Sequence, residues 1–225
     1  MIHLWLWIVQ PYKNVTNMSL FDSLTKPFNP DVNNDSNTML DSLLFTASNN
    51  WKIDQGEVLE AMNKIAYHET GGSFDPSQQQ YEGGPGRGLY QFEQRYKNPK
   101  TGEYEQAGGM TAANRLIKMF ETEKQEIPNW LMQEGMENPE IGFDASLLNE
   151  EQQQMLFLAN ALLNPNKEEE GYGKAGIYDI DGDKTISNEE LADYWTQYHH
   201  AGTKPNTDAY TDQRNKFLEH LESYE

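Results

Sequence analysis

Residues 54–76 read DQGEVLEAMNKIAYHETGGSFDP, and both the start and the stop of a helix are written into them. Asp54 followed by Glu57 makes a capping box, with Asp54 as N-cap and Glu57 at N3, and Gly71 stands where a C-terminal glycine belongs. The apolar stripe of this helix is Val58, Met62 and Ile65, and the same spacing continued by one more turn reaches Glu69. A carboxylate is thereby set on the core side, where the helix ends and a glycine-containing loop begins. Partial burial disfavours its charged form, and the negative end of the helix dipole does so too, so both raise its pKa. A carboxylic acid kept protonated near neutral pH is what general acid catalysis requires.

Helical spacing also governs the flanks. It places Leu40, Leu43, Leu44 and Ala47 on one stripe, Leu116, Met119 and Phe120 on another, and Met155, Leu158, Ala159 and Leu162 on a third. Two more follow: Leu191, Tyr194, Trp195 and Tyr198, then Phe217, Leu218 and Leu221. Thr111 and Ser187 read as N-caps, NEEQ at 149–152 as a capping box, and Pro128 and Pro165 as closing the runs before them. Strand alternation is almost absent. The expected fold class is mainly α, with long Gly-rich loops at 71–109 and 164–186, a length at which loops usually carry function. Short Gln and Glu runs at 78–80, 152–154 and 168–170 read as solvated.

The 225 residues include 17 basic and 36 acidic ones, a net charge of −19, which repels phosphate backbones and anionic lipid. Nucleic acid and membrane surfaces are therefore not expected partners. A 36% hydrophobic and 12% aromatic content supplies a core, while the absence of cysteine removes disulfides, thiol catalysis and cysteine-ligated zinc. The opening MIHLWLWIVQPYKNVTNM has an apolar stretch too short to span a bilayer, and neither a basic n-region nor a small-residue cleavage site. It reads as an interaction tail rather than a signal peptide, or as a start placed ahead of a true one at Met18. PFNPDVNNDSNT at 27–38 reads as a linker, so residues 1–38 form an N-terminal arm and linker and residues 39–225 the globular part.

After Glu69 comes GGPGRGLYQFE at 83–93, with four glycines in its first six residues and then Tyr90 and Phe92 around Gln91. Such a backbone suits close approach to a ligand. Together, HETGGSFDP and GRGLYQFE resemble the motif pair of the lytic transglycosylases and goose-type lysozymes, in which a glutamate ends a helix as E-S-G-F-x-P and G-x-G-L-M-Q follows about twenty residues later. Glu69 takes the glutamate position, Phe74 and Pro76 the F-x-P, and Gly86, Gly88, Leu89 and Gln91 the second motif. Thr70 replaces the serine, a second glycine is added at 72, and Tyr90 replaces the methionine. YHHAGT at 198–203 is a weaker echo of the family's A-Y-N-A-G, with His200 on the asparagine position.

The resemblance implies a lysozyme-like domain that cleaves the β-1,4 bond between N-acetylmuramic acid and N-acetylglucosamine in peptidoglycan. Glu69 would protonate the glycosidic oxygen. Glycosidases ordinarily use a second carboxylate, whereas a lytic transglycosylase works with one, its glutamate taking the proton of the muramic acid 6-hydroxyl as an anhydro ring closes. Asp75, Glu82 and Glu93 are the nearby acids that would make the enzyme a hydrolytic lysozyme instead; Asp75 reads as a turn residue, the others as solvated. The single-glutamate reading is preferred. Gly88, Leu89, Tyr90, Gln91, Tyr198 and His200 are the candidate substrate contacts, with aromatic faces for sugar rings and amides for N-acetyl groups. His68 precedes Glu69 on the helix and points away from it, and no second histidine completes H-E-x-x-H.

A second chemical signal is DIDGDKTISNEE at 179–190. Asp179, Asp181 and Asp183 occupy positions 1, 3 and 5 of an EF-hand-type loop, Thr185 supplies a backbone carbonyl at 7, and Glu190 is the bidentate ligand at 12. Lys184 stands where glycine is usual, so a non-glycine residue has to make the tight turn. A structural calcium ion (Ca2+) is the expected occupant. The substrate lies outside the bacterial cytoplasm while no export signal is read, so a bacteriophage protein delivered by the particle or by a holin is expected, and a virion enzyme anchored through the N-terminal arm is preferred over an endolysin. The competing class is a calcium-stabilised virion protein of the same shape without turnover.

Overall fold

The structure is a computed structural model, and it describes residues 38–80, 83–199 and 203–224. The arm, the linker, the Met18 alternative, Glu82 and His200 lie outside the described residues. Among the described residues six α-helices carry a mainly α domain. α1 (Thr38–Trp51) is followed by α2 (Gln55–Thr70), the helix of the opening stretch. Asp54 caps α2 by accepting from the Glu57 N–H at 2.9 Å. The other half of the expected box is absent, because the Glu57 carboxylate accepts from the Ile186 N–H at 3.4 Å and so ties α2 to the 179–190 loop. At the far end Gly71 is left-handed at φ 60°, its N–H bonds to His68 O and that of Gly72 to Tyr67 O, the paired bonds of a Schellman stop.

The 71–107 segment holds two short antiparallel hairpins, β1 (Gly86–Arg87) with β2 (Phe92–Glu93) and β3 (Tyr96–Lys97) with β4 (Tyr104–Glu105). Two-residue strands leave no alternation to read. α3 (Gly108–Thr122) begins earlier than the expected Thr111 cap; its N-cap is Ala107, without a side-chain bond, and the Thr111 hydroxyl donates to Ala107 O. Close approach explains the shift, since a Cβ on Gly109 would stand 2.9 Å from Phe143 O and 3.1 Å from Glu93 O. The two glycines let the helix start press on β2.

α4 (Glu150–Leu162) starts with a complete capping box between Asn149 and Gln152. Leu156, Phe157, Leu158 and Ala159 are consecutive and fully buried, so this turn of the helix is enclosed on all sides, with α1 and α3 packed against the helix. α5 (Asn188–Tyr194) has its box between Ser187 and Glu190 and runs on as a π turn over Trp195–His199. α6 (Asp208–Leu221), capped by Thr207, buries Phe217 and Leu221 and packs against α5 and α2. No helix among the described residues is long and apolar enough to cross a membrane.

One expectation fails instructively. Gln153, in a run read as solvated, is fully buried. Its carbonyl accepts from Leu89 N–H at 2.6 Å, and its amide donates to Pro76 O at 2.8 Å and Leu148 O at 2.9 Å. A Cβ on Gly88 would run into this carboxamide, which accounts for that glycine. Replacing Gln153 with Leu strands a buried N–H and two carbonyls. The expected cost is at least about 3 kcal/mol, measured as a lowered urea midpoint.

Candidate active site

Glu69 sits on the last turn of α2, in line with the buried Ile65 and Met62. It opens onto a cleft of about 510 Å3 that Tyr90, Gln91, Tyr198, His199, Arg115 and Asn160 also line. The indole N–H of Trp195 donates to Glu69 Oε1 at 2.7 Å. His199 Nε2 lies 3.6 Å from the same oxygen and 3.0 Å from Tyr90 O. A carbonyl only accepts, so Nε2 is the protonated ring nitrogen. Burial pushes the Glu69 carboxyl up to about 7, against the Trp195 bond, which pulls it down.

These partners come from the π turn, where residues four apart remain on one side, so Trp195 and His199 both face Glu69. Trp195 is itself wedged between His68, 4.6 Å away edge to face, and Phe217 at 5.1 Å. His68 thus faces away from the cleft and braces the indole. The loop after Glu69 is tethered by Thr70, whose hydroxyl donates to Ala66 O at 2.7 Å and accepts from the Phe74 N–H at 3.1 Å.

The candidate substrate contacts divide. Gln91, at the end of the β1–β2 turn, faces the cleft; its amide donates to Gly88 O at 2.7 Å, and its Oε1 has no hydrogen-bond partner among the described residues. Tyr198 also lines the cleft, its hydroxyl bonded to Gly173 O. Leu89 is core, and Tyr90 is only 2% exposed, its ring stacked on Phe157 at 4.5 Å. The expectation of a Tyr90 sugar platform is corrected: the ring fills the core, and its carbonyl orients His199. Gly88 serves the packing of Gln153. Of the candidate second carboxylates, Asp75 is bound into a turn by the Ser77 N–H and hydroxyl, which hold its pKa down, while exposed Glu93 lines the cleft.

Sequence reasoning passed over Trp195 and His199. Trp195 was legible as core, and a buried indole N–H ordinarily needs an acceptor, which is the one signal that pointed further. Arg115 and Asn160, from α3 and α4, carry no local motif.

In the 179–190 loop, oxygens of Asp179, Asp181 and Asp183 lie within 4.8 Å of one another. Lys184 adopts φ 70°, so the turn is indeed made by a non-glycine residue. Asp179 accepts from the Gly182 and Lys184 N–H groups, and Thr185 donates to Asp183. Glu190 caps Ser187 with one oxygen and accepts from the Ile180 N–H with the other.

Two outcomes follow for Glu69. Trp195→Phe removes the bond that favours the carboxylate, so the pKa is expected to rise by about one unit, read by 13C NMR of the carboxyl. Because the folded pKa exceeds the ordinary 4.5, the stability contributed by the protonated group is complete below about pH 4.5 and is lost as pH rises through about 7. Glu69→Gln is therefore expected to be about 3 kcal/mol more stable than wild type at pH 8 and equal to it at pH 4, in paired urea titrations. Comparison of the chain with protein-family models, with curated proteins and with solved structures finds no match.

Proposed function

We propose that the protein is a peptidoglycan-cleaving muramidase with a lysozyme-like domain and with Glu69 as its acid. The observation that carries this reading is the placement of Glu69 at a helix end, held by the Trp195 indole and facing an open cleft, where burial pushes its carboxyl up to about 7. A group so tuned both gives and takes a proton at neutral pH. The cleft supports the reading through the carboxamide side chains of Gln91 and Asn160 on its wall, groups of the kind that pair with N-acetyl amides.

In the preferred reaction, Glu69 protonates the oxygen between N-acetylmuramic acid and N-acetylglucosamine and the glycosidic bond breaks. The Glu69 carboxylate then takes the proton of the muramic acid 6-hydroxyl, whose oxygen bonds to C1 and closes the 1,6-anhydro ring. No water is consumed. Trp195 and His199 hold the carboxyl in place, with Trp195 easing its ionisation between the two transfers. The second reading is hydrolysis with Glu93 as base for a water, favoured by its place on the cleft wall. Digestion of purified peptidoglycan decides: anhydro products are one water lighter than hydrolysis products. Glu69→Gln is expected to lower turnover at least about 1,000-fold with folding intact. A wild type inert on purified sacculi supports the non-catalytic virion protein instead.

We further propose that Asp179, Asp181, Asp183, the Thr185 carbonyl and Glu190 hold a calcium ion. Three carboxylates this close repel one another in a chain of net charge −19, and a hard cation relieves that repulsion. The ion would brace the start of α5, and with it Trp195 and His199. Calcium at 100 times its dissociation constant is expected to stabilise the fold by about 2.7 kcal/mol, and EDTA to lower both melting temperature and activity. An unchanged melting temperature with either addition counts against the site. The proposed setting, a bacteriophage particle, is tested by the presence of the chain in purified virions.

A further inference from the structure

One charged group in the cleft has no part in the chemistry above. Arg115 projects from α3, half-buried, into the cleft that holds Glu69. Its Nη1 donates to Asn160 O at 3.1 Å and Asn160 Oδ1 at 2.5 Å, and its Nη2 to Asn164 Oδ1 at 3.4 Å. All three acceptors are neutral amide oxygens. Among the described residues no carboxylate lies within ion-pair distance of Arg115, whereas Arg214 sits 2.6 Å from Asp193. In a chain with 36 acids against 17 bases, a half-buried guanidinium with only neutral partners is conspicuous.

The anchoring is asymmetric. Three N–H groups are held by α4 and the residues after it, and a guanidinium has five. Asn164 is in turn fixed through its amide to Tyr198 O at 3.4 Å. The cation is thus oriented without being neutralised, and its desolvation is left for a ligand to offset. Bidentate recognition of a carboxylate is what this fork does best.

We propose that Arg115 is a carboxylate subsite, reading the acidic substituent that muramic acid carries on its lactyl ether and that uncharged N-acetylglucosamine polymers lack. The inference rests on the muramidase reading for the identity of the sugar. It concerns binding alone, so it is tested without turnover. The acid has two sources in the wall: the lactyl carboxylate where no peptide is attached, and, where a peptide is joined to it as an amide, the carboxylates of that peptide.

The test uses NMR titration of the full chain with N-acetylglucosamine, N-acetylmuramic acid, the methyl ester of the latter, and N-acetylmuramoyl-L-alanyl-D-isoglutamine. At least one acidic sugar is expected to bind about fivefold or more tighter than N-acetylglucosamine. The methyl ester is expected to behave as the neutral sugar if the lactyl carboxylate is read, and the dipeptide derivative to keep the preference if the peptide carboxylate is. Arg115→Met is expected to erase the preference and Arg115→Lys to restore part of it. Equal or undetectable binding of the acidic sugars by wild type, or a preference that survives in a folded Arg115→Met, overturns the proposal. Should Arg115→Met fail to fold, loss of the preference at high salt on wild type alone supports the proposal, and its persistence there overturns it. A protein that shows the preference yet leaves peptidoglycan uncut refutes the reaction and not the subsite.

Discussion

The carboxamide of Gln153 is the bond on which the arrangement of the site depends. It is a single buried group that accepts from the Leu89 N–H on the turn that follows β1 and donates to the carbonyls of Pro76 and Leu148. The loop that leaves Glu69 meets the hairpin that carries Gln91 at an isolated bridge from Gln79 to Arg87, where the Gln80 N–H bonds to Gly86 O at 2.9 Å and the Gly88 N–H to Gln78 O at 2.8 Å. The Gln153 carboxamide adds a third segment to this contact, and Gly88 leaves room for it. A buried amide satisfied on both ends fixes one arrangement where an apolar contact would permit several.

Onto that frame the C-terminal helices bring the electrostatics. Glu69 is desolvated enough to be protonated near neutrality, yet it keeps one strong donor in Trp195. The two effects oppose each other, and burial wins. The indole is backed by His68 and Phe217, so the position of the carboxyl is set by packing between α2, α5 and α6 rather than by the cleft. A ligand entering the cleft would meet a carboxyl already held in position.

What was legible in the sequence was local. The N-caps at Asp54, Asn149 and Ser187 and the stop at Gly71 are short-range chemistry, and they form where they are read, although only half of the box at Asp54 does; the stripes through Val58, Leu116, Met155 and Leu191 name true core positions. Glu69 was found because a helical period continues through it. Illegible were contacts made by tertiary approach: Gln153 hidden in a polar run, the early start of α3 forced by Gly109, Tyr90 turned inward onto Phe157, and the Glu57 carboxylate diverted to Ile186. The π turn could not be foreseen from spacing, and it puts His199 beside the acid.

The segment from the acidic loop to Glu69 is continuous: Glu190 caps α5, α5 runs into the π turn, and the π turn delivers Trp195 and His199. A ligand at either end that steadies this segment acts on the other end through it, and linkage makes the effect mutual. A cation that tightens sugar binding must itself be held more tightly once the sugar is bound. The loop would then behave as a gauge of its surroundings, filling most completely where divalent ions and glycan strands occur together, which is at the wall and not in a cytoplasm poor in calcium.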